Sequence, residues 1–137
     1  LMNPMRVQRA WEVLRTTGRG LASWQDETPA PLLDLEETYP IIFQCDRDWL
    51  NARIERRFDL MLDSGALGEA RFNLSDWDDT APWARAIGAP ELVAHLNGDC
   101  DLATARDQAV IASRQYAKRQ RTWFRNRMKD WQPFTPG

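Results

Sequence analysis

Arg114, Lys118, Arg121 and Arg125 recur at i, i+4, i+7 and i+11, the spacing that stacks side chains on one face of an α-helix. They belong to a stretch from Arg114 to Lys129 that holds seven basic residues (Arg114, Lys118, Arg119, Arg121, Arg125, Arg127 and Lys129) and no acid. Cations repeated along one face suit an array of phosphates, and the competing use is a solvated face paired with acids elsewhere. A second pair, Arg53 and Arg57, sits at i, i+4 on another predicted helix. Arginine fits anion capture because its planar fork grips phosphate oxygens bidentately and keeps its charge. Here the competing use is a surface pair with Glu55 or Asp59. Tyr116, Trp123 and Phe124 could stack on bases, but at helical spacing Trp123 and Phe124 read as core, as do Trp11, Trp24, Trp49, Trp77 and Trp83. His95 has no ligand partner in view and reads as structural. The carboxylates of Asp76, Asp78 and Asp79 lack the Gly and Glu spacing of a calcium loop, so no metal site is expected.

The elements that must hold these residues follow from caps and periodicity. Asn3 caps and Pro4 opens a helix over 4–17, with Val7, Ala10, Trp11 and Leu14 on one side and Gly18 ending it. Leu21 to Gln25 reads as a short turn of helix placing Trp24 on the core, and Thr28 to Thr38 as a loop. Tyr39 to Cys45 is a nearly unbroken apolar run, the pattern of a strand buried on both faces, and nothing else in the chain reads as a comparable strand. Asp46 caps a helix over 47–63, carrying Leu50, Ile54, Phe58, Met61 and Leu62 inward and stopping at Gly65. Shorter helices are expected over 66–73, 82–87 and 90–96, with Gly88 as the joint between the last two. A turn at Asn97-Gly98-Asp99 leads into one long helix from Asp101 to about Met128, and the tail from Trp131 reads as irregular.

At 137 residues the chain has room for one domain, 1–137. A net charge of −2 argues against a general nucleic-acid coat, so any RNA contact must be local. Cys45 and Cys100 lie far apart without C-x-x-C spacing, which fits a reduced, cytoplasmic compartment. No apolar run approaches the length of a membrane span, so no membrane partner is expected.

Four collinear patches carry a family resemblance. Pro4-Met5-Arg6-Val7-Gln8-Arg9-Ala10-Trp11-Glu12-Val13 is similar to a Q-R-x-x-R-A-L-E-V helix. Leu50 to Leu62, followed by Ser64-Gly65, is similar to R-I-x-x-R-x-x-x-M-L-x-x-G. Arg85-Ala86-Ile87-Gly88-Ala89-Pro90-Glu91-Leu92 is similar to an I-G-Y-R-E-L turn, with Ala89 and Pro90 as departures. The fourth, SRQYAKRQRTWFR from Ser113 to Arg125, closely resembles the C-terminal signature of the tRNA dimethylallyltransferases.

That resemblance implies a mostly α chain, the helical C-terminal portion of a P-loop α/β enzyme, whose strand near 39–45 would join the parent parallel sheet. No G-x-x-x-x-G-K-S/T string occurs. With its abrupt start, the chain therefore reads as a piece inert alone, the missing part holding Mg2+, the P-loop and the aspartate base. The resemblance implies transfer of a dimethylallyl group from dimethylallyl diphosphate to N6 of the tRNA adenosine just 3′ of the anticodon, by an intact enzyme that is a monomer. Arg57 would stabilise the diphosphate, with Arg53 supporting it. Met5, Arg6, Gln8, Arg9, Arg85, Arg114, Lys118, Arg119, Gln120, Arg121 and Arg125 would meet tRNA. The alternative is a stand-alone helical RNA-binding or protein-interaction module, which would pair its strand internally, whereas a piece of an enzyme would leave it an exposed or swapped edge.

Overall fold

The computed structural model describes residues 3–135, which divide into two compact units at the junction of Tyr39 and Pro40. The chain is mostly helical.

In the first unit α1 spans Pro4–Thr17. The Asn3 side chain accepts from the Arg6 amide at 3.3 Å, Pro4 needs no donor there, and Gly18 at φ +70° closes the far end on Leu14 O. A short helix, α2 (Leu21–Asp26), follows. Trp24 is exposed rather than in a core: its indole N–H reaches Thr17 Oγ1 at 3.4 Å while the Arg19 guanidinium lies 4.7 Å from its ring centre. The loop beyond contains one 3-10 turn, Leu35–Glu37, whose first residues are tied by the Asp34 carboxylate.

In the second unit, β1 is Ile41–Phe43, followed by α3 (Arg47–Asp63), α4 (Ala66–Phe72), 3-10 turns at Leu74–Asp76 and Pro82–Arg85, α5 (Ala89–Leu96), α6 (Leu102–Arg127) and β2 (Gln132–Phe134). Asp46 caps α3 by accepting from the Asp48 and Trp49 amides at 2.9 Å each, and Asp101 caps α6 through the Thr104 amide at 2.7 Å. Asp78 orders the turn before α5 by accepting from both the Thr80 amide and hydroxyl. The core joins Phe58 of α3, Leu92 of α5, and Ala109 and Val110 of α6, with Ile54, Met61, Leu62, Leu67 and Leu102 packed around them. His95 is structural here, its Nδ1 lying 3.0 Å from the Cys100 carbonyl and tying the end of α5 to the turn before α6.

Three expectations are corrected. The tail is not wholly irregular: β2 pairs in parallel with β1, Ile41 facing Gln132 and Phe43 facing Phe134. Pro133 is tolerated because an outer strand can lack one donor. The strand is not buried on both faces either; Ile42 is half-buried while Ile41 and Phe43 are exposed, because the sheet described has only two strands. β1 thus finds a partner inside the chain on one side and, among the described residues, none on the other. The tryptophans are not core: Trp11, Trp24, Trp49, Trp83 and Trp123 are 42–60% exposed, and Trp77 and Phe124 only half-buried. Their apolar faces are covered instead by arginines, as in Arg15 on Trp11 and Arg53 on Trp49, or by each other, as in Trp77 on Trp83 and Trp123 on Phe124.

Candidate nucleic-acid and phosphate interface

α6 carries its cations beyond the core. Ala105, Ala109 and Val110 bury the first half of the helix, after which the apolar stripe ends and charged residues face outward. The four residues that share one helical face by spacing divide in the structure. Lys118 joins Arg119, Gln115, Thr122, Trp123 and Asn126 along a shallow hollow on one side. Arg121 and Arg125, with Gln120 and Lys129, edge an open groove of about 780 Å³ on the other. Its wall includes Ile42, Phe43 and Cys45 from the β1 segment, Leu50 of α3, and Phe124, Met128 and Trp131. Arg114 joins neither; its guanidinium is bonded to Glu55 across α3. Arg119 lies 5.7 Å from the centre of the Tyr116 ring. Among the described residues, no ion pair engages Lys118, Arg119, Arg121 or Arg125.

On α3, Arg53 and Arg57 are exposed. Arg53 stacks 5.0 Å from the Trp49 ring centre, which orients it without neutralising it. The two acids that flank Arg57 in sequence are engaged elsewhere. Glu55 is bonded to Arg114, and Asp59 accepts two bonds from Arg106, at 2.8 and 2.9 Å, in a bidentate fork. Those bonds hold the Asp59 carboxyl below its ordinary range, and Asp59 together with Asp107 raises the Arg106 guanidinium above its own. Glu55 and Asp59 also sit at i±2 from Arg57, on the opposite side of the helix, and no ion pair engages Arg57 among the described residues.

The remaining expected residues lie on other elements. On α1, Met5, Arg6, Gln8 and Arg9 are exposed, with Gln8 and Arg9 both reaching Glu12, at 2.9 and 3.5 Å. Arg85 ends the 3-10 turn before α5 and is exposed. Among the described residues no group of three or more His, Cys, Asp or Glu side chains is placed to hold a metal ion. Nor is any helix long and apolar enough to cross a membrane.

Sequence reasoning missed the groove's far wall. Gln44, Cys45, Trp131 and Pro133 meet Arg121 and Arg125 there only because β1 and β2 pair, and the short, proline-containing β2 gives no strand signal of its own.

The profile of the IPP transferase family matches residues 1–127. The chain belongs to that family. Among curated relatives of this chain, the tRNA dimethylallyltransferase of Cereibacter sphaeroides (strain ATCC 17025) is 67% identical over 131 residues, covering 96% of this chain and 45% of the relative. That of Dinoroseobacter shibae is 61% identical over 137 residues, covering all of this chain and 46% of the relative. The chain thus spans about half the length of the curated relatives it matches. Among solved structures, the tRNA delta(2)-isopentenylpyrophosphate transferase of Staphylococcus epidermidis superposes with a TM-score of 0.66 at 31% identity, over 96% of this chain and 42% of that one. The full-length tRNA isopentenylpyrophosphate transferase of Bacillus halodurans gives 0.66 at 34% identity, over 97% and 39%.

Proposed function

We propose that the chain is the C-terminal part of a tRNA dimethylallyltransferase and supplies its diphosphate clamp and part of its tRNA-binding surface. In the reaction the adenosine N6 forms a bond to the allylic carbon of dimethylallyl diphosphate, the carbon–oxygen bond to diphosphate breaks, and the amine proton passes to a base outside this chain. Charge grows on the departing diphosphate, so fixed cations aimed at it lower the barrier. Arg57 takes that role and Arg53, braced on Trp49, supports it. Arg6, Arg9, Arg85, Lys118, Arg119, Arg121 and Arg125 meet tRNA phosphates, with Met5, Gln8 and Gln120 beside them. Extracting the target base from its stack costs a few kcal/mol that such contacts offset. Mg2+ and the P-loop belong to the rest of the enzyme, which works in the cytoplasm as a monomer.

The observation that carries this reading is Arg57, exposed in a chain of this family while both neighbouring acids are engaged by arginines of α6. The competing reading, a free-standing RNA-binding module without chemistry, draws on β1 finding β2 within the chain. One experiment separates them. In the full-length protein, Arg57→Ala at saturating dimethylallyl diphosphate should lower prenyl transfer to tRNA by about 10²–10³-fold with tRNA affinity preserved. Near-normal turnover in the variant removes the clamp; tRNA binding by wild type without any transfer favours the module.

A further inference from the structure

α3 is held to α6 at two points. Glu55 and Asp59 lie one turn apart on α3 and bond respectively to Arg114 and Arg106 of α6, so the pairs run in opposite directions along the two helices. At about 100° per residue, Arg53 and Arg57 sit about 160° around the helix from Glu55, on the face turned away from the ties. Two links spaced along an axis stop a helix from pivoting, whereas a single link leaves it free to swing about that point. Pivoting of α3 about the Asp59–Arg106 fork is the motion that would displace Arg53 and Arg57.

Arg114 itself is built into the helix interface. Its side chain is only 38% exposed, and its Nε is buried without a hydrogen-bond partner, an arrangement opposite to that of a side chain reaching out to a phosphate. Lys118, Arg121 and Arg125 follow it by one, two and three turns on the same helix.

We infer that Arg114 is a positioning residue, not an RNA contact: through Glu55 it keeps α3 from pivoting about the Asp59–Arg106 fork, and so sets the placement of Arg57 and Arg53 relative to the cationic half of α6. This rests on the functional reading above and adds a residue pair to it. The Asp59–Arg106 fork and the packing of Phe58 against α6 are untouched when the pair is broken, so the fold should survive while the aim is lost.

The test uses the full-length enzyme with Arg114→Gln and the exchanged double variant Glu55→Arg/Arg114→Glu, measuring kcat, KM for tRNA, the salt dependence of tRNA binding, and the melting temperature. Misplacement of a reacting group by about 1 Å can cost about 10²-fold in rate. Arg114→Gln should therefore lower kcat by about 10- to 100-fold, with KM for tRNA within about twofold of wild type and the salt slope unchanged. The exchanged pair should recover at least about tenfold of the loss. An unchanged kcat overturns the inference. So does a salt slope lower by about 0.7–0.9 with a raised KM, which would make Arg114 a phosphate contact. An exchanged pair that restores melting temperature but not kcat overturns it as well, leaving a purely structural pair. In each of these cases wild-type prenyl transfer stands; wild-type enzyme without transfer to tRNA removes the functional reading and this one together.

Discussion

A methyl group built on Gly88 would lie 2.8 Å from Cε2 of Phe58, inside any real contact distance. Phe58 is a buried member of the core and cannot swing aside, and Gly88 also holds φ +100°, a conformation that L side chains rarely adopt. Its amide donates to the Glu91 carboxylate at 2.9 Å, which begins α5 with the chain already pressed on α3. Gly88→Ala should therefore destabilise the protein by on the order of 3 kcal/mol, from overpacking and a strained backbone together, a loss that denaturant unfolding would measure directly. A variant within about 0.5 kcal/mol of wild type would mean that Phe58 has room to give. The sequence marks Gly88 as a joint between two short helices, and that reading holds; what it cannot reveal is the ring packed against it, because residues 58 and 88 meet only after α3, α4 and α5 have folded together. The same holds for Arg57, whose neighbours Glu55 and Asp59 stand ready as partners in the sequence and are claimed in the structure by residues of a distant helix.

The helices were legible where their ends are governed by local chemistry. Asn3-Pro4 and Gly18 bound α1, and Asp46 and Gly65 bound the segment holding α3, because caps and left-handed glycines act within a turn of the residues that need them. β2 was not legible, since a three-residue strand containing proline is made by its partner rather than by propensity. α6 is an element whose two halves do different work: alanines against the core, then cations facing outward. Periodicity places Lys118, Arg121 and Arg125 on one face, yet β1 and β2 build a groove against Arg121 and Arg125 that excludes Lys118. If the cations on both sides of the helix meet tRNA phosphates, as proposed, their contributions to the salt dependence add. Replacing Lys118, Arg121 and Arg125 by alanine should then lower the slope of log K for tRNA against log salt by about 2–3 in total, at about 0.7–0.9 per contact. Alanine keeps helix propensity high, so circular dichroism should be unchanged. An unaltered slope with a lowered melting temperature would make these cations structural.

At the scale of the whole molecule, four carboxylates that bond best when ionised hold helix ends, a turn and one helix pair of the second unit. Asp46 and Asp101 cap the two longest helices, Asp59 holds α3 to α6, and Asp78 orders the turn before α5. All four are held below the ordinary carboxylate range. The Trp49 amide is the leading cause at Asp46, the Arg106 fork at Asp59, Thr80 at Asp78 and Thr104 at Asp101. A depressed folded pKa means that the unfolded chain takes up protons first as pH falls. The stabilisation is therefore complete above the unfolded carboxylate pKa of about 4 and drains away as pH drops through the lower folded values. The melting temperature of the protein should be nearly level between about pH 7 and pH 5 and should fall increasingly steeply below about pH 4. Asp46→Asn/Asp101→Asn isolates the cause. Asparagine accepts the same cap bonds, so this variant should melt close to wild type at neutral pH, losing only the attraction of a negative charge for the helix N-terminus. Having two fewer groups to protonate, it should also fall less steeply in acid. If its melting temperature follows the wild-type curve through the acid range, ionised caps do not hold this helical unit together, and its acid sensitivity must come from other carboxylates.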